Sequence, residues 1–205
     1  MNDINDLINK INCIIEAKPA AAIGIDGRCG SRAAGKPVVI GIDGRCGAGK
    51  TTLAGHLASL YNAGIIHMDD FFLPPELRTP GRLAEPGGNV HYERFRGEVI
   101  DGVLRGEPFS YRVFDCKSMG YNGCRRISPQ PLVIIEGSYS LREDFRFLYD
   151  IKVFADISKE KQRERIIKRS GEEAFKAFKE KWIPMEERYF KEMKVKSCCD
   201  IAIES

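Results

Sequence analysis

Residues 44–51 read Gly-Arg-Cys-Gly-Ala-Gly-Lys-Thr and satisfy the pattern G-x-x-x-x-G-K-[ST]. The apolar stretch Val38–Asp43 before them predicts a buried strand, and Lys50–Leu60 predicts a helix with its leucines on one face. A glycine-rich loop between a strand and a helix can turn its backbone N–H groups towards phosphate oxygens, and the helix dipole adds to this attraction. In this context the motif predicts a phosphate-binding loop rather than an ordinary glycine-rich turn.

The loop and the first turn of the following helix are the expected nucleotide-binding residues. We expect Lys50 to reach the β- and γ-phosphates and the Thr51 hydroxyl to ligate Mg²⁺, so the predicted cofactors are ATP and Mg²⁺. The expected set is Gly44, Arg45, Cys46, Gly47, Ala48, Gly49, Lys50, Thr51 and Thr52.

An eight-residue sequence occurs twice in the chain. Ile23–Gly30 reads Ile-Gly-Ile-Asp-Gly-Arg-Cys-Gly, and Ile40–Gly47 repeats it without a change. The segment Gly30–Pro37 also resembles a phosphate loop, but it ends in proline, which has no hydroxyl for Mg²⁺, and a predicted strand follows it. The second copy is therefore the predicted functional loop. The first copy could form an extra strand, a surface loop or a competitor for the central strand position.

Strand and helix patterns alternate along the chain, which predicts an α/β fold with a mainly parallel, buried sheet. Apolar residues at helical spacing predict an N-terminal helix within residues 1–18, and residues 19–37 are the duplicated segment. Frequent glycine and proline over residues 74–131 suggest loops and short helices there. We expect one domain over residues 1–205. Further strands are expected at Ile65–Met68, Leu132–Ile135, Ile151–Phe154 and Ile201–Ile203, and a helical stretch at Ser158–Met193.

Composition argues against several classes of protein. The 205 residues include 32 Lys and Arg against 29 Asp and Glu, and a net charge of +3 is too small to predict nucleic acid as the main partner. The apolar stretches are shorter than the roughly 18 residues of a membrane span, and no secretory signal pattern is present. The seven cysteines have neither regular nor CxxC spacing, which indicates reduced thiols. We therefore expect a cytoplasmic protein with no nucleic-acid or membrane partner, and a homo-oligomer remains possible.

Carboxylates follow two of the predicted strands. Asp69 and Asp70 come after Ile65–Met68, and Glu136 comes directly after Leu132–Ile135. Enzymes with parallel sheets place their sites at the carboxyl ends of the strands. Phosphoryl transfer needs a base for the acceptor hydroxyl and a carboxylate near the metal. Together with the phosphate loop, these acids predict a kinase that acts on a hydroxyl of a small molecule.

From about residue 38 to the C-terminus, the chain resembles the uridine kinase and phosphoribulokinase family of P-loop kinases. The resemblance implies a three-layer α/β sandwich of the P-loop NTPase type, with a mainly parallel five-stranded sheet and a small helical lid at residues 158–172. The matching segments are GIDGRCGAGKTTLA (41–54), HMDDFFLP (67–74), GGNVHYERF (87–95), YRVFDC (111–116) and VIIEG (133–137).

The resemblance also implies roles for individual residues. Asp69 falls at the family's general base, and Glu136 falls at the acid near the magnesium ion. Arg165 and Arg169, four residues apart and hence on one helix face, fall in the lid. There they would stabilise charge on the transferring phosphoryl group together with Lys50, because a guanidinium grips phosphate oxygens at two points.

The expected acceptor-binding residues are Asp69, Phe72, Arg82, His91 and Tyr111. Uridine kinases carry tyrosine at Phe72 and aspartate at His91, and a pyrimidine-contacting histidine stands where this chain has Cys116. The resemblance implies a nucleoside such as uridine as the acceptor. One alternative is a different hydroxyl acceptor, pantothenate-like or a sugar phosphate, which Arg78 and Arg82 would favour. Another is a nucleotide-binding protein without catalytic activity.

Overall fold

The computed structural model of the chain describes residues 2–17 and 36–205, so the first copy of the repeat lies outside the described residues. The strands are β1 (Val38–Gly44), β2 (Gly64–His67), β3 (Phe109–Asp115), β4 (Gly120–Ile127), β5 (Leu132–Glu136), β6 (Ile151–Asp156) and β7 (Ile201–Glu204). The α-helices are α1 (Asn2–Ala17), α2 (Lys50–Tyr61), α3 (Pro80–Ala84), α4 (Tyr92–Phe95), α5 (Asp101–Arg105), α6 (Lys159–Ser170), α7 (Glu172–Ala177) and α8 (Ile183–Glu192).

Five strands form one sheet in the order β2-β5-β1-β6-β7, and every neighbouring pair is parallel. The central strand β1 is buried along its whole length, which explains its continuous run of apolar residues. The five strands expected from apolar runs are all present, with ends that differ from the expected ones by at most two residues. The predicted α/β fold with a five-stranded parallel sheet is confirmed.

Helices cover both faces of this sheet, so the fold has three layers: helices, sheet and helices. On one face, Leu7 of α1 and Leu57 of α2 are fully buried against Ile40 of β1. The preceding residue, Val39, points to the opposite face, where it belongs to a cluster with Tyr189 of α8 and several aromatic rings. No helix in residues 2–17 and 36–205 combines the length and apolar character needed to cross a bilayer.

The region 74–131 holds an antiparallel hairpin, β3–β4, in addition to the loops and short helices that its composition suggests. Tyr111 and Phe114 of β3 point inwards, whereas β4 is exposed at every residue from Tyr121 to Arg126. An alternating apolar pattern therefore marks only one strand of the pair, so the sequence signal is weak.

The stretch 158–193 is helical as expected but is divided into several helices. Gly171, with φ +87°, separates α6 from α7, and a π-helical turn at Phe178–Trp182 joins α7 to α8. The expected lid region thus consists of α6 and the start of α7.

The strand order brings the carboxyl ends of β1, β2 and β5 together at one edge of the sheet. Glu136 at the end of β5 is in register with Ile42 of β1 and with His67 of β2. The phosphate loop after β1 and the acids after β2 and within β5 therefore converge at this edge.

Asp43, near the end of β1, is a fully buried carboxylate. It accepts hydrogen bonds from the backbone N–H groups of Gly44 and Leu141 and from the Tyr189 hydroxyl, at 2.7–2.9 Å. Burial nevertheless raises the pKa of Asp43 from 3.8 to about 6. The hydrogen bonds and the charge of Lys50 offset only part of the desolvation.

This raised pKa predicts that the stability of the fold depends on pH. Because the folded state holds the Asp43 proton more tightly, the contribution is fully present below pH 3.8 and is lost as the pH rises through about 6. For a shift of about two pKa units the loss is at most about 3 kcal/mol. We expect the difference in unfolding free energy between the wild type and Asp43→Asn to fall between about pH 4 and pH 7, measured by urea denaturation. A constant difference over this range would contradict the prediction.

Candidate active site

The phosphate loop has the backbone that its glycines allow. Gly47 and Gly49 have φ of +80° and +84°, in the left-handed region that other residues rarely adopt. At Gly44, a Cβ atom would lie 2.0 Å from the carbonyl oxygen of Ala155, so a side chain does not fit between β1 and β6. The loop ends where α2 begins, at Lys50. This is the strand, loop and helix order that the sequence predicts.

The amino group of Lys50 lies over the loop. Its Nζ donates hydrogen bonds to the carbonyl oxygens of Gly44 and Arg45 at 2.7 and 3.1 Å, and to Ser138 Oγ at 3.3 Å. The side chain is almost fully buried, so its positive charge acts in a medium of low dielectric constant. This position allows Lys50 to neutralise phosphate oxygens held by the loop.

Thr51 and Glu136 form the expected metal-binding pair. The Thr51 hydroxyl donates to both carboxylate oxygens of Glu136, at 3.1 and 3.2 Å. His67 Nδ1 lies 2.6 Å from Glu136 Oε1, and this hydrogen bond raises the pKa of His67. A hydroxyl and a carboxylate suit Mg²⁺, which takes its remaining ligands from phosphates and water. Within residues 2–17 and 36–205, no group of three or more His, Cys, Asp or Glu side chains is arranged to hold a metal ion.

The two acids after β2 have different surroundings. Asp69 faces the cavity described below, and burial raises its pKa, opposed by Lys50 and supported by the charges of Glu136 and Glu186. Asp70 is buried and accepts hydrogen bonds from Arg125 Nε at 2.7 Å and from the Tyr111 hydroxyl at 3.1 Å. Only Asp69 is therefore available to a substrate.

A cavity of about 1240 Å³ lies at this edge of the sheet and is called here the main cavity. It is lined by most of the residues that the sequence predicts for the site. Gly44 and Arg45 are the exceptions in the loop, because Gly44 is enclosed by β6 and Arg45 pairs with Glu187 at 2.6 Å and with Asp156. The predicted residues that line it are Cys46, Gly47, Ala48, Gly49, Lys50, Thr51, Thr52, Asp69, Phe72, Glu136, Arg165 and Arg169.

The expected lid helix α6 lies beside the loop. Arg165 Nη1 donates to the carbonyl oxygen of Gly47 and to Ser205 Oγ, both at 3.0 Å. Arg169 is exposed, lines the main cavity and lies 5.7 Å from the Phe178 ring. Arg163 instead pairs with Glu172. Of these three α6 arginines, Arg165 and Arg169 line the main cavity and Arg163 does not.

Three residues expected to contact the acceptor do not line the main cavity. Tyr111 is only 1% exposed and lies behind Asp70. Arg82 pairs with Glu93 at 2.6 Å, and with His91 it lines a separate cavity of about 620 Å³. An antiparallel bridge joins Phe72 to Val90, the residue before His91, and so links the segment after β2 to the segment before α4.

Glu186 of α8 is a site residue that the sequence did not indicate. Its Oε2 accepts the backbone N–H of Cys46 at 3.0 Å, and its Oε1 accepts the Ser138 hydroxyl at 2.6 Å. The next residue, Glu187, holds Arg45. Two adjacent acids of α8 thus anchor the first half of the phosphate loop. In the sequence they belong to a long charged helical stretch, which is typical of a solvated surface.

Comparison with known proteins supports the fold. No protein-family model and no curated protein matches the chain significantly. Among solved structures, a possible uridine kinase from Bacillus stearothermophilus is 19% identical, with a TM-score of 0.63 over 97% of this chain and 99% of that chain. A candidate fructose transport system kinase from a Silicibacter species is 17% identical, with a TM-score of 0.67 over 95% and 98%.

A third structure has an assigned activity. D-glycerate 3-kinase from Cryptococcus neoformans is 14% identical, with a TM-score of 0.56 over 89% of this chain and 86% of that chain. At these identities the similarity shows the fold and not the substrate. Together with the parallel sheet and the loop geometry, it establishes that this chain has the α/β fold of the P-loop kinases that resemble uridine kinase and phosphoribulokinase.

Proposed function

We propose that the protein transfers the γ-phosphoryl group of ATP, in the presence of Mg²⁺, to a hydroxyl of a small metabolite. The observation that carries the proposal is the position of Asp69. Its carboxylate lines the same cavity as the phosphate loop and, unlike Asp70, is held by no arginine within residues 2–17 and 36–205. A general base at this position serves a reaction in which a second substrate binds beside the nucleotide and gives up a proton.

In the proposed reaction, Asp69 accepts the proton of the acceptor hydroxyl while the hydroxyl oxygen forms a bond to the γ-phosphorus. The bond from the γ-phosphorus to the bridging oxygen breaks, and ADP leaves with that oxygen. The raised pKa of Asp69 makes it a stronger base than an aspartate in bulk water.

The loop residues and the lid would stabilise the negative charge of the transferring group. Lys50 and the backbone N–H groups of the loop contact the phosphates, and Arg165 and Arg169 approach from α6. Thr51 and Glu136 would hold Mg²⁺, which draws charge from the phosphate oxygens when bound. These residues contribute position and charge, which is most of what phosphoryl transfer requires of a protein.

Two classes of acceptor are candidates. A nucleoside such as uridine is supported by the sequence resemblance, but Phe72 and Cys116 on the cavity wall replace the tyrosine and the histidine of uridine kinases. His91 and Tyr111 lie outside the main cavity, so they would not contact a nucleoside bound there. A different hydroxyl acceptor is the second candidate, and the charge of Arg78 on the cavity wall favours it.

The reaction is proposed to take place in the cytoplasm, which is a reducing compartment. The six cysteines within residues 2–17 and 36–205 are all free thiols, as expected in such a compartment.

The proposal is tested by measuring ADP release from Mg²⁺-ATP with and without small hydroxylated acceptors. We expect at least one acceptor to stimulate ADP release and to yield a phosphorylated product. Nucleotide binding with no stimulation by any acceptor would instead support a nucleotide-binding protein without catalytic activity.

A further inference from the structure

The acceptor side of the main cavity contains an arginine that the proposed chemistry does not use. Arg78 follows the short 3₁₀ turn Pro75–Leu77 and lines the cavity. Its Nε donates to the carbonyl oxygen of Leu73 at 2.7 Å, which holds the base of the guanidinium group in place. Within residues 2–17 and 36–205, no carboxylate lies within ion-pair distance of Arg78. Its charge is therefore available to a ligand.

Neighbouring arginines on the same side of the molecule are neutralised by the protein. Arg82 pairs with Glu93 at 2.6 Å, and Arg125 pairs with Asp70 at 2.7 Å. Arg78 differs from both, because it combines a position on the cavity wall with an unpaired charge. An arginine with this combination is suited to a carboxylate or a phosphate, which its planar group binds at two points.

Arg78 and the proposed catalytic base, Asp69, line the same cavity, together with Cys116 in the turn between β3 and β4. Desolvation raises the pKa of the Cys116 thiol, the charge of Arg78 lowers it and the charge of Asp69 raises it, as expected for a thiol that faces both groups. Phe72, Leu83 and Met119 supply apolar wall around them. A molecule bound here could therefore contact Arg78 and Asp69 at the same time.

A second unsatisfied polar group lies in the wall of the cavity. Asn89 is only 7% exposed and lines the main cavity. Its Oδ1 has no hydrogen-bond partner within the described residues. A buried carbonyl oxygen without a partner is costly, and a hydroxyl or N–H group of a ligand would satisfy it.

We infer that the acceptor is a small hydroxylated anion whose carboxylate or phosphate pairs with Arg78 while its reacting hydroxyl lies at Asp69. This inference rests on the proposed kinase function and narrows its substrate. The other acids of the cavity do not compete for Arg78, since Glu136 is held by Thr51 and His67, and Glu186 by Cys46 and Ser138. A neutral acceptor would leave the guanidinium without a counter-charge in a partly enclosed site.

The test compares acceptors in matched pairs that differ only in the charged group. The carboxylate pairs are D-glycerate with glycerol and pantothenate with panthenol, the phosphate pair is fructose 6-phosphate with fructose, and uridine and cytidine serve as neutral nucleosides. ADP release is measured with saturating Mg²⁺-ATP. For at least one pair we expect kcat/KM of the anion to exceed that of its neutral partner about tenfold or more, the value of a charged hydrogen bond. The pair that shows the preference distinguishes a carboxylate from a phosphate.

The role of Arg78 is tested with the preferred anion. We expect Arg78→Gln to raise KM about tenfold or more while kcat changes little, because the ion pair forms in both the ground state and the transition state. Arg78→Lys should recover part of the loss, since it restores the charge without the planar group. Arg105→Gln, which changes an exposed arginine of α5, is the matched control and should behave as the wild type.

The outcomes separate this inference from the kinase proposal. Equal use of neutral and anionic partners, or an unchanged KM in Arg78→Gln, would overturn the anion inference and leave the kinase function standing. ADP release that no acceptor stimulates, neutral or anionic, would overturn the kinase function and this inference with it.

Discussion

Lys50→Ala is expected to lower kcat about 10³-fold or more, while the protein remains folded. The amino group lies 2.7 Å from the carbonyl oxygen of Gly44, directly over the loop that would hold the phosphates. Removing a single hydrogen-bond donor that stabilises transition-state charge costs about 10²- to 10³-fold in kcat, and Lys50 carries a full positive charge. Lys50 would act on both the β- and the γ-phosphate, so the upper part of this range or more is expected.

The measurement is ADP release with the best acceptor, together with thermal unfolding of each variant. Lys191→Ala, on the exposed side of α8, removes the same charge away from the cavity and should retain full turnover. If Lys50→Ala turned over within about tenfold of the wild type, the assignment of the loop as the catalytic phosphate site would be wrong.

The loop and sheet could be predicted because their signals are local. The order of strand, glycine-rich loop and helix occupies Val38–Tyr61 without interruption, and buried parallel strands are continuous apolar runs. Glu136 and Asp69 could also be located, because parallel strands bring their carboxyl ends to one edge of the sheet. Periodicity and parallel topology are sufficient for this part of the site.

The acceptor side could not be predicted in the same way, because it depends on pairs that are distant in the sequence. Arg78 and Arg82 are four residues apart, and the sequence does not distinguish them. The structure separates them, since Glu93 neutralises Arg82 and leaves Arg78 on the cavity wall. Tyr111 is similarly removed from the cavity by its hydrogen bond to Asp70. The hydrogen-bond and ion-pair partners of a side chain therefore decide whether it can reach a ligand.

The link from α8 to the phosphate loop is another feature that a motif does not contain. Glu186 accepts the Cys46 N–H, although 140 residues separate them in the sequence. Cys46 lies in the turn that faces the phosphates, so the position of α8 affects the shape of the loop. Through the π-helical turn, α8 also continues from the helices of the expected lid region, so a single helical stretch contacts both this region and the loop.

Asp69→Asn is expected to lower kcat about 10²- to 10⁴-fold with little change in nucleotide affinity or in stability. The substitution keeps the size and the hydrogen-bonding oxygen of the side chain but removes its ability to accept a proton. Asp69 has neither an ion pair nor a hydrogen bond with the residues described, so the substitution breaks no such contact in the fold. Its loss should be visible only in the chemical step.

Asp70→Asn is the matched control, one residue away and opposite in its expected effect. It removes the charge that pairs with Arg125 and receives the Tyr111 hydroxyl, so it should lower the unfolding free energy by about 1–3 kcal/mol. At temperatures where it is folded, its kcat should stay within a few-fold of the wild type. A variant pair in which Asp70→Asn lost turnover and Asp69→Asn kept it would move the base to Asp70. Because these neighbours share the same sequence environment, only their partners in the fold distinguish a catalytic acid from a structural one.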